Sequence, residues 1–112
     1  MGEFFWDSES VRIDFPDGNW IDVKPELLQD DQDYIMGCMV QTDENGKQIL
    51  KAEKGRIPLL ERSILDWSFT DGKGKVPITR DTISRLRLKY RSKVLIEVNR
   101  LNTEALEFVQ KN

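Results

Sequence analysis

A chain of 112 residues with 38% hydrophobic and 33% charged side chains has room for one modest core, so a single domain over 1–112 is expected. Three Trp, five Phe and two Tyr argue against wholesale disorder, and a net charge of −3 gives no general attraction to nucleic acid. The absence of His removes the commonest general base, the commonest neutral metal ligand and every Ser-His or Cys-His nucleophile arrangement.

The net charge hides an asymmetry. Residues 1–46 hold twelve acids against Arg12 and Lys24, net −10, whereas residues 79–100 hold seven bases against Asp81 and Glu97, net +5. Such polarity is satisfied within the fold, between copies stacked head to tail, or by a partner. The opening MGEFFWDSES has no basic end and no long apolar stretch, so neither secretion nor a membrane span is expected.

In chain order, residues 1–10 read as a mobile tail. Its Phe4, Phe5 and Trp6 either fold back onto the core or present an adhesive surface to a partner. Val11 to Phe15 and Trp20 to Val23 alternate apolar and polar residues about Pro16-Asp17-Gly18-Asn19, which predicts a β-hairpin with Val11, Ile13, Phe15, Trp20 and Val23 facing the core. Asp30 is placed to cap a short helix running to Val40, with Tyr34, Ile35, Cys38 and Met39 at helical spacing and therefore lying on the hairpin. Cys38 reads as a buried thiol within IMGCMV.

Residues 41–56 are polar around Asn45-Gly46 and predict an exposed loop or mobile hairpin. Pro58 opens a short helix, Leu65 to Phe69 is extended with Trp67 and Phe69 on one face, and Asp71 to Lys75 turns the chain so that Val76-Pro77-Ile78 pairs back. Thr79 caps the helical part, residues 79–111, without a full capping box; a bend near Lys89 to Ser92 would make it a helix pair. The fold class expected is thus α+β: an N-terminal hairpin packed on a short helix, short strands around Trp67, and a C-terminal amphipathic helix or helix pair.

Few constellations suggest chemistry. Asp30, Asp31 and Asp33 read as a solvated helix start. Asp43-Glu44-Asn45-Gly46 has Gln41 and Ala52 where a calcium loop needs acids. Asp71-Gly72-Lys73-Gly74-Lys75 lacks phosphate-loop spacing. Catalytic, metal and cofactor sites are expected to be absent, and the chain is expected not to be an enzyme.

Contact is the remaining mode of action. Tyr90, Val94, Leu95, Val98, Leu101, Phe108 and Val109 form an apolar stripe at a spacing of about 3.6 residues, and this is the expected partner-binding helix face. Arg87, Lys89, Arg91 and Lys93 would orient the partner. A basic helix with an interleaved Tyr also suits nucleic acid, which makes a small nucleic-acid-binding regulator one alternative, although the acidic whole disfavours it.

Two segments carry a resemblance. The hairpin and helix VRIDFPDGNWIDVKPELLQDDQDYIMGCMV, then LLERSILDWSFTDGKGKVPITRDTISRL, resemble the small tail assembly chaperones and related tail-completion proteins of long-tailed bacteriophages over about Val11 to Leu101. The resemblance implies a non-enzymatic protein of the infected host cell's cytoplasm that binds the tape-measure protein and helps tail-tube subunits polymerise, often as a multimer, without remaining in the virion. A structural virion component, such as a head-tail connector or minor tail protein, is the other reading in the same setting.

Overall fold

The computed structural model describes residues 9–111, with side chains as far as Thr103. Phe4, Phe5 and Trp6 lie outside the described residues. The fold is α+β.

Strands β1 (Val11–Asp14) and β2 (Trp20–Val23) form the expected hairpin, with Val11 opposite Val23 and Ile13 opposite Ile21. The turn closes because Gly18 takes a φ of +91°, a conformation that side-chain-bearing residues avoid, and because Asp17 accepts the N–H of Asn19 at 2.9 Å. Strand β5 (Ile64–Trp67) joins the free edge of β2, so the antiparallel sheet runs β1-β2-β5.

The strand period decides which hairpin residues are inside. Ile13, Phe15, Ile21 and Val23 are buried, while Trp20 is only partly buried and lies on the outer face. Trp20 and Val23 are an odd number of residues apart, so one strand cannot bury both. The outer face supplies Trp20 with different company: the Arg12 guanidinium lies 3.7 Å from its ring centroid and also forms a two-pronged pair with Asp22 at 2.8 and 3.1 Å.

Helix α1 (Gln29–Met39) begins after Leu28, two residues before the expected cap. Asp31, not Asp30, does the capping work by accepting the Leu28 N–H at 3.0 Å. Asp31 is buried, 2% exposed, against Lys24 Nζ at 2.8 Å and Arg62 at 3.9 Å, which joins the end of β2 to the helices. The main packing of α1 is against α2 (Arg56–Ser63) and the 3-10 turn Ala52–Gly55 that precedes it. Cys38 is only partly buried. Between these helices, β3 (Val40–Thr42) and β4 (Gln48–Leu50) form a largely exposed hairpin about Asn45-Gly46. Pro58 sits inside the first turn of α2, where a missing N–H removes no helical bond.

After β5 the short hairpin of β6 (Thr70–Asp71) and β7 (Gly74–Lys75) returns the chain, and Val76 donates its N–H to Phe69 at 3.0 Å. Trp67 is 1% exposed, and its indole N–H is satisfied by the Val76 carbonyl at 2.7 Å. Thr79 caps α3 (Arg80–Arg85) in a reciprocal arrangement: the Thr82 hydroxyl takes the place of the usual Glu and accepts the Thr79 N–H at 2.9 Å. The helical part then breaks at Leu86, earlier than expected. Leu86 adopts an extended backbone with its side chain packed on the core, its carbonyl accepts Arg91 Nε at 2.8 Å, and α4 (Leu88–Lys111) begins. The core thus lies between the inner sheet face and Leu60 of α2, Ile83 of α3, and Tyr90, Val94 and Val98 of α4.

Candidate functional site

The apolar stripe expected to meet a partner is where α4 meets its own fold. Tyr90, Val94 and Val98 are buried in the core, and Leu95 and Leu101 are partly buried against it. From Tyr90 to Leu101 the apolar face packs on the chain's own sheet and helices, because a small domain must cover the inner face of its sheet. Phe108 and Val109 belong to the last turns of α4, and their side chains lie outside those described.

Most of the basic run is also engaged internally. Lys93 Nζ donates to the Asp14 carbonyl at 2.6 Å, Arg91 holds Leu86, and Lys89 stands 3.9 Å from Asp17. Tyr90 donates its hydroxyl to Asp17, and its ring packs edge-on against Phe15 and Phe69 at centroid distances of 4.8 and 4.9 Å. Hydrogen bonding from Tyr90, then from the Asn19 N–H, holds the Asp17 carboxyl below its ordinary pKa. Arg87 and Lys89 stand, with Arg85, at a cleft of about 390 Å³ floored by Trp67, Phe69 and Tyr90. Trp67 and the basic run therefore converge in space, but the aromatic side chains at the cleft are already packed on one another.

A larger concavity lies elsewhere, between α1, α2 and α4. It has a volume of about 550 Å³ and is lined by Leu27, Ile35, Met36, Met39 and Leu59, with Asn99 and Asn102 from α4. An adjoining hollow of about 220 Å³ extends it past Gly55 to Leu95. Each wall follows helical spacing: Ile35, Met36 and Met39 on α1, and Leu95, Asn99 and Asn102 on α4. Met36 is 50% exposed at the edge of this apolar surface.

The groove is held in shape by specific contacts. Asn102 accepts the Leu27 N–H at 3.0 Å and donates to the Val98 carbonyl at 2.7 Å, pinning the segment before α1 to α4. Gly55 lets the Met39 sulfur approach closely, since a Cβ there would stand 2.7 Å from it. Tyr34, on the same helix, donates to Glu61 at 2.7 Å and stacks under Arg62 at 4.2 Å, fixing α1 on α2. That bond to Glu61 raises the Tyr34 pKa.

Sequence reasoning placed Ile35 and Met39 on one helix face but missed Met36, Leu27, Leu59, Asn99 and Asn102 as parts of one surface. The only signal was two methionines three residues apart on a short helix, a composition suited to adaptable binding surfaces. Among the described residues no group of three or more Cys, Asp or Glu is placed to hold a metal, and no helix is long and apolar enough to cross a membrane. Comparisons of the chain with protein-family models, curated proteins and solved structures find no match.

Proposed function

We propose that this chain is a non-catalytic binding protein that holds an amphipathic helix of a longer partner in the groove between α1, α2 and α4, acting as a tail assembly chaperone. The observation that carries this reading is the apolar groove with half-exposed Met36 at its edge. A helix-in-groove contact needs apolar anchors spaced along a trough, and methionine adapts its unbranched chain to whatever side chain arrives. The Asn99 and Asn102 amides give the trough a polar edge, so the contact is modest in apolar area and compatible with release.

The resemblance of the hairpin and the Trp67 segment to tail assembly chaperones supplies the kind of partner: a long helical tape-measure protein whose apolar faces need cover in the host cytoplasm until tail-tube subunits enclose them. Co-expression with the products of the neighbouring open reading frames tests the proposal. The tape-measure polypeptide is expected to become soluble with this chain and to stay insoluble with a Met36→Glu variant. Abundant copies in purified virions would instead favour a connector or minor tail protein, and solubilisation indifferent to Met36→Glu would remove the groove from the reading.

A further inference from the structure

The first hairpin fixes which backbone groups of β1 face its neighbour and which face away. Phe15 donates its N–H to the Asn19 carbonyl at 2.9 Å, and the register continues through Ile13 opposite Ile21 and Val11 opposite Val23. In an antiparallel ladder, hydrogen-bonded pairs alternate with pairs that make no bond, so the N–H and C=O groups of Arg12 and Asp14 point away from β2. Two contacts agree with this phase. The Asp14 carbonyl accepts Lys93 Nζ from α4 at 2.6 Å, and Trp20, opposite Asp14, turns its carbonyl the other way to accept the Ser68 N–H at 3.0 Å. Among the described residues no strand pairs with this outer edge of β1. Such an edge is a template for strand addition, and a lysine laid across it is one of the ways proteins restrain that pairing.

The charge pattern selects the strand that fits. Only residues with outward backbone groups can meet as hydrogen-bonded pairs, so a second β1 laid antiparallel sets Arg12 and Asp14 against the same two residues of the other copy. Shifted one way, Arg12 meets Arg12; shifted the other, Asp14 meets Asp14. The register centred on Ile13 puts each Arg12 opposite the Asp14 of the other copy, as a two-fold axis requires. Opposite charges in cross-strand positions favour pairing, and like charges oppose it. Arg12 keeps donors beyond the two that Asp22 takes, so it can meet both carboxylates. We infer that β1 pairs with β1 of a second copy of this chain, joining the two sheets in the order β5-β2-β1-β1-β2-β5. Lys93 is the latch that must leave the Asp14 carbonyl for the pair to form. The groove has its walls on α1, α2 and α4, so this contact does not rest on the function proposed above.

Sedimentation of the full chain over a range of concentrations, with residue-resolved amide exchange by NMR on the same samples, tests the pairing. A reversible dimer is expected, with exchange of the Arg12 and Asp14 amides slowing as concentration rises. The Ile13 amide, bonded to β2, is expected to stay protected throughout and reports an intact hairpin. Lys93→Ala is expected to tighten the dimer about tenfold, because a charged donor no longer competes for the Asp14 carbonyl. Asp14→Lys sets like charges against each other and is expected to abolish the dimer while the Ile13 amide remains protected. A Lys93→Ala chain that stays monomeric at every concentration would overturn the inference, as would a dimer indifferent to Asp14→Lys. So would a dimer whose Arg12 and Asp14 amides exchange as in the monomer, which would move the contact elsewhere. Protection of those amides that does not depend on concentration would place another segment of the same chain on the edge, with the same consequence.

Discussion

Asp17, in the turn of the first hairpin, accepts the hydroxyl of Tyr90 on the last helix, 73 residues further along the chain. The bond fastens the tip of the β1-β2 hairpin to α4, with Lys89 adding a cation 3.9 Å from the same carboxylate. Asp17 was legible in the sequence only as a turn residue. Its second task is set by a residue that no local pattern connects to it.

That pairing carries a pH dependence. Hydrogen bonds lower the Asp17 pKa in the folded state below its ordinary value of 3.8, so the stability it contributes is present above that value and is lost as pH falls through the folded pKa. Tyr90→Phe removes the first of those bonds. Thermal unfolding is expected to show a lower Tm for the variant at pH 7 and a difference from wild type that narrows below pH 3.8. A difference constant across that range would detach Tyr90 from the Asp17 titration.

The buried stripe of α4 and the open groove predict opposite responses to truncation. Val94→Ala removes methyl groups from a fully buried site and is expected to lower unfolding stability by about 2 kcal/mol. Met36→Ala, at a half-exposed position, is expected to change stability by less than about 0.5 kcal/mol while weakening partner binding. Urea unfolding of both variants, beside the co-expression assay, checks the pair. Equal stability losses would place Met36 in the core.

Asp31 is the buried acid that the three-aspartate run concealed. Asp31→Asn removes the buried carboxylate that stands 2.8 Å from Lys24 Nζ and is expected to cost about 3 kcal/mol. The double change Lys24→Met/Asp31→Leu is expected to recover only part of that loss, because it removes the buried ammonium but also takes away the side-chain acceptor of the Leu28 N–H, which Asn at 31 retains. Chemical denaturation of the single and double variants gives the comparison. A double variant less stable than Asp31→Asn would show that the pair is worth more than its desolvation.

Gly55 tests the shape of the groove without touching its mouth. Its backbone angles are ordinary for any residue, but an added methyl would stand 2.7 Å from the Met39 sulfur. Gly55→Ala is expected to push Met39 into the groove, reduce client solubilisation, and lower stability by about 1 kcal/mol. Unchanged solubilisation would mean that Met39 is not part of the contact.

Local features were legible along the chain. Alternation about Pro16-Asp17-Gly18 gave the hairpin, Thr79 gave the start of α3, and the 3.6-residue recurrence of Val94, Val98 and Leu101 gave the amphipathic helix, because strand period, turn geometry and capping depend on neighbours in the chain. Tertiary structure alone decided what each face meets. Trp20 went outward to Arg12 because Ile21 and Val23 took the inner face of the same strand. Tyr90, Val94 and Val98 of α4 turned inward to that sheet, and the groove was assembled from Leu27, Met36, Leu59 and Asn102, residues scattered over four segments. Periodicity states that a surface is apolar; whether the chain covers it or leaves it open depends on contacts between distant segments, which only folding brings together.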